Sequence, residues 1–76
     1  MTKREWLDEL EWIEAEMKTW GKPPRNLADR TPWQVAVVDR SNDLIAFLLG
    51  NKPEPISREE WRKTLPPRTV YREEGK

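Results

Sequence analysis

The sequence predicts an all-α domain of three helices, and three observations carry that prediction. Three segments open on a hydroxyl residue followed three positions later by Glu or Gln. Each then continues with apolar residues at helical spacing, and each runs into Gly or Pro. A hydroxyl and a carboxylate or amide at that spacing form a capping box, in which each side chain satisfies the other residue's free backbone N–H.

The first box is "TKRE", Thr2 to Glu5, with Met1 and Trp6 placed as a hydrophobic staple. Behind it Trp6, Leu10, Ile13, Met17 and Trp20 make one apolar stripe, which predicts a helix near 3–20. Gly21 can take the left-handed cap conformation, and Pro23 cannot continue the helix. The connector "KPPRNLADR" is stiffened by proline, with room for a short turn around Leu27.

"TPWQ", Thr31 to Gln34, opens the second helix, near 32–49, with Pro32 at the first helical position, where its missing N–H costs nothing. Val37, Val38, Leu44, Ile45, Leu48 and Leu49 share a face with Ser41 in its middle, and Asp39, Asn42 and Asp43 fall opposite. The valines also permit a hairpin at 33–49 turning at "RSND", which would make the domain α+β. The caps at both ends favour the helix, which stops at Gly50 and Pro53. The third box, "SREE", starts a short helix near 58–65, with Ile56 and Trp61 as its staple and Pro66-Pro67 as its stop. Residues 1–70 are thus read as a single domain and 71–76 as a flexible tail, with Val70 and Tyr71 able to dock.

Composition narrows the function. At 76 residues the chain is near the lower limit for a self-sufficient core, and it has no Cys and no His. That removes disulfides, thiolate or imidazole metal sites, and cysteine or histidine catalysis. The lack of cysteine suits a reducing compartment, so a cytoplasmic protein is expected. "MTKREWLDELEW" is too acidic to read as a signal peptide, and no apolar run approaches ~18 residues. Fourteen basic side chains balance 14 acidic ones, leaving no global field to attract nucleic acid.

Catalytic motifs are scarce. The three glycines are scattered, so no phosphate-cradling loop exists. Glu11 and Glu14 at i, i+3 and Asp39 and Asp43 at i, i+4 could in principle hold Mg²⁺. Over those four residues the spacing resembles the ExxE…ExxD pattern of all-α nucleotide pyrophosphohydrolases, but the second half reads DxxxD. Asp39 and Asp43 also face away from the apolar side of their helix. No enzyme activity, cofactor or metal is expected.

Binding is the better expectation. Eleven of residues 33–49 are apolar, more than one buried stripe needs. That surface calls for a second copy of the chain, another protein, or a wrapping of connector and tail; Trp33 and Phe47 are the candidates for self-association. An obligate dimer would supply the stabilisation a small core lacks. Trp12 lies off the stripe among Asp8, Glu9 and Glu16, which suits a partner offering an apolar pocket with a basic rim. Alternatively, Trp12 lies under "KPPR".

Arg58, Arg62 and Lys63 form a basic edge and a candidate anion site, the basis of an alternative nucleic-acid reading. Against it, "GNKPEPI" is too long for a helix-turn-helix connection, and neighbouring glutamates nearly cancel the patch. The expectation is a small non-catalytic protein–protein interaction module: a regulator, inhibitor, adaptor or assembly factor, self-associating as a dimer. Such chains are common among phage and mobile-element accessory proteins.

Overall fold

The computed structural model describes residues 1–21 and 30–70, so the expectations for Leu27, the "KPPR" segment and residues 71–76 fall outside it. The described chain is all-α: α1 is Lys3–Lys18, α2 is Pro32–Leu48 and α3 is Arg58–Thr64. The hairpin alternative at 33–49 is overturned, because that stretch forms one continuous helix. Its caps favour the helix locally, and a core face at helical spacing outweighs the strand preference of its valines.

The first two capping boxes form in full. Thr2 accepts from the Glu5 N–H at 3.2 Å while Glu5 accepts from the Thr2 N–H at 3.1 Å. Thr31 and Gln34 exchange the same pair of bonds, each at 3.1 Å. In the third helix Ser57 accepts from the Glu60 N–H at 3.4 Å. Stops follow the glycines. At the end of α2 the Gly50 N–H donates to Phe47 and the Asn51 N–H to Ala46, with Gly50 at φ +83°. This is the Schellman closure, and its left-handed residue is one that a Cβ would strain.

Trp6 meets Phe47 at one end of the α1–α2 pair, Glu9 meets Arg40 in the middle, and Glu16 meets Trp33 at the other end. The two long helices are therefore antiparallel. Between them lie Trp6, Ile13, Val37 and Leu44, all nearly inaccessible to solvent. Short α3 lies across one side of this hairpin, with Trp61 against Trp12 and Arg58 on Glu9. The chain beyond it returns along the hairpin: Arg68 reaches Glu16, the Thr69 carbonyl accepts from the Thr31 hydroxyl at 2.6 Å, and Val70 packs on the core. No described helix is long and apolar enough to cross a membrane.

Candidate functional site

Two surfaces of the hairpin can be compared, beginning with the side that α3 covers. Trp12 stands there with its ring edge-on to Trp33 at 6.4 Å and to Trp61 at 6.2 Å. The Arg62 guanidinium covers it at 4.9 Å from the ring centroid. Trp12 is half-buried and part of the packing that fixes α3 to the hairpin. Aromatic edge-to-face contacts and a stacked cation hold this arrangement by geometry as well as area.

Glu9 is not on a rim. It is fully buried, with Oε2 3.2 Å from Arg58 Nε and 3.5 Å from the buried Arg40. The expectation that Glu9 meets a partner is corrected accordingly. At about 100° per residue it falls just beside the Trp6–Ile13 stripe, toward α3 rather than toward solvent. The Arg40 guanidinium lies between Trp6, at 5.3 Å, and Trp61, at 5.0 Å. Its 3.5 Å approach to Glu9 is an ion contact without hydrogen-bond geometry, and Glu9 Oε1, Arg40 Nε and Arg40 Nη2 have no hydrogen-bond partner. Burial pushes the Arg40 guanidinium below its usual pKa, with Glu9 opposing the shift.

Glu16 also points inward. One of its oxygens accepts from the Trp20 indole at 3.1 Å, the Trp33 indole at 3.0 Å and Arg68 at 2.9 Å. Burial alone would raise this carboxyl, but the three donors outweigh it and hold the group below the ordinary glutamate range. Asp8 alone of the proposed acidic contacts is exposed.

The self-association candidates turn inward as well. Trp33 is 7% exposed, and Phe47 is half-buried with its ring 5.7 Å from Trp6. Both are corrected from surface residues to packing residues, since at helical spacing they share the Arg40–Leu44 side of α2. On the basic edge, Arg58 is held by Glu9 and by the Glu5 carbonyl, and Arg62 is stacked on Trp12. Lys63 is exposed. Among the described residues no group of three or more acidic, His or Cys side chains converges, and Asp43 pairs with Lys52 at 3.0 Å.

The opposite surface of the hairpin has a different composition. Leu7 of α1 is 44% exposed, and Val35 and Ile45 of α2 are each 43% exposed, with Leu49 beyond them at 71%. Half-buried Leu10, Met17, Val38 and Leu48 lie between these and the core. On α2 the residues Val35, Val38, Asn42, Ile45 and Leu49 follow a 3,4,3,4 spacing, the spacing of helix-packing seams. Four of its five side chains are apolar and none is charged. The apolar spacing of the sequence groups Ile45 and Leu49 with the core face, whereas in the structure both are exposed. The available signal was Arg40 and Ser41, which with Val37 and Leu44 mark the buried side instead.

Comparison with protein-family models, curated proteins and solved structures finds no match.

Proposed function

We propose that this chain is a small protein–protein interaction module that works through the surface of the α1–α2 hairpin turned away from α3. The observation that carries this reading is the apolar seam Val35, Val38, Ile45 and Leu49, left partly open to solvent beside Leu7. Isolated exposed aliphatic residues are ordinary on protein surfaces, but a contiguous row at helix-packing spacing marks an interaction site. Several of the charged and aromatic groups that would serve other functions are engaged within the chain. Arg58, Arg62 and Arg68, the cations on which a nucleic-acid reading would rest, contact Glu9, Trp12 and Glu16.

A photo-activatable side chain at position 45, compared with one at position 63 on α3, tests this reading in cells. Protein adducts concentrated at position 45 are expected. Equal labelling at both positions, or no protein adduct at position 45, would contradict it.

A further inference from the structure

We infer that the occupant of this face is a second copy of the chain, joined so that α1 lies on α1 and α2 on α2, both antiparallel. This rests on the interaction-module reading above and names its partner. The first ground is the symmetry of the seam. Asn42 stands at its middle, with Val35 and Leu49 each seven residues away and Val38 and Ile45 four and three residues away. A two-fold axis crossing α2 at Asn42 sets Val35 against the partner's Leu49 and Val38 against the partner's Ile45. The smaller valine end thus meets the larger leucine end. The two Asn42 amides meet at the axis, where each can both donate to and accept from the other. A single asparagine in an apolar helical seam is a known means of fixing register.

The second ground is independent, because it comes from α1. The contacts of Trp6 with Phe47, of Glu9 with Arg40 and of Glu16 with Trp33 place Asn42 level with the stretch of α1 between Leu7 and Glu11, centred near Asp8. An axis at that level, lying in the face and perpendicular to the helices, pairs Leu7 with the partner's Leu10. It also pairs Lys3 with the partner's Glu14. At about 100° per residue Lys3, Leu7 and Glu14 share one side of α1, away from the Glu9 and Trp12 side that α3 occupies. Both Lys3 and Glu14 are exposed. The same axis therefore satisfies the amide at its centre, the leucines on α1 and a complementary charge pair at each end. It also sets the helix dipoles antiparallel.

The size is sufficient for a reversible pair. Two helices of 16 and 17 residues give a face about 25 Å long, and with axes 8–10 Å apart it is about 20 Å wide. That is on the order of 500 Å² per copy, or about 1,000 Å² in total, the lower end for a specific interface. Weak, transient complexes occupy this size class, so reversible pairing with a Kd on the order of 1–100 µM is the expectation tested below.

The chain has no native cysteine, so single cysteines report the geometry directly. Under mild oxidation Asn42→Cys should close rapidly to a disulfide dimer, while Glu60→Cys on α3 should stay monomeric. Sedimentation equilibrium of the unmodified chain should show reversible dimerisation in the stated range. Lys3→Glu should weaken it about two- to fivefold, as expected for an exposed pair, and Lys3→Glu with Glu14→Lys should restore it. A native chain that stays monomeric into the millimolar range overturns the inference whatever the variants do. So does a dimer in which position 60 cross-links as readily as position 42. Protein adducts at position 45 from a chain that never self-associates would leave the interaction-module reading intact and eliminate this pairing alone.

Discussion

On the side of the α1–α2 hairpin that α3 covers, the contacts are tryptophans and ions. Arg40 sits between Trp6 and Trp61, Glu9 lies beside Arg40 and Arg58, and Glu16 gathers two indoles and Arg68. On the other side they are aliphatic: Leu7, Val35, Ile45 and Leu49, with Asn42 among them. The first side resembles a core assembled from amphipathic groups, where each buried charge needs its neighbour. The second is an aliphatic surface left partly open to solvent. A chain this small has too little aliphatic volume to fix a seven-residue helix, and tryptophan supplies large buried area with few rotamers to restrict.

If that division is right, substitutions on the covered side should be costly and those on the open side nearly free. Glu9→Ala should be the most damaging, because it leaves Arg40 buried without its anion. A loss of about 3–5 kcal/mol is expected, enough to unfold much of a domain with a normal stability margin. Urea denaturation followed by tryptophan fluorescence reads it directly. Replacing both partners, Glu9→Leu with Arg40→Met, should recover much of that loss.

Trp12→Ala comes next. Its ring is half-buried against Trp33 and Trp61, so about 2–3 kcal/mol is expected, below the range for a fully buried aromatic. The same denaturation experiment checks it, and a variant of unchanged stability would return Trp12 to the list of free surface residues.

Glu16→Gln should cost about 1–2 kcal/mol, discounted because Arg68 is half-exposed to screening solvent. It also carries a pH signature. The folded Glu16 carboxyl sits below its ordinary value, so its contribution is present above the unfolded glutamate range. That contribution is lost as pH falls through the folded value. The melting temperature of the native chain should therefore fall more steeply with acidification than that of Glu16→Gln.

Thr31→Ala removes a cap that also bonds the Thr69 carbonyl, and about 1 kcal/mol is expected. Ile45→Glu stands last. At low concentration its melting temperature should match the native chain to within the effect of about 0.5 kcal/mol, since Ile45 is 43% exposed and outside the buried core.

The fold was largely legible in the sequence because its punctuation is local. Thr2, Thr31 and Ser57 mark the starts, and the positive-φ residues Gly21 and Gly50 mark the stops. Local hydrogen bonds set these limits, so no knowledge of tertiary contacts was needed. The sides of the helices were harder to read. Glu9 and Arg40 appear polar in sequence; the pairing of α1 with α2 makes one the counter-ion of the other, and α3 covers them with Trp61 and Arg58. Once Arg40 is inside, Val37, Ser41 and Leu44 define the buried side of α2, and Ile45 and Leu49 turn outward. Trp33 and Phe47 turn inward by the same rotation. An error of one residue in assigning a helix's buried side turns it by about 100°, enough to carry flanking residues between core and surface.

The most direct test of this two-sided account is the thermal midpoint measured against protein concentration for the native chain and Ile45→Glu. A folded state that pairs through the open side gains stability by mass action, so the native midpoint should rise with concentration while that of Ile45→Glu stays flat. A native midpoint independent of concentration, or an Ile45→Glu chain that melts far below it even when dilute, would contradict the assignment of that side to interaction.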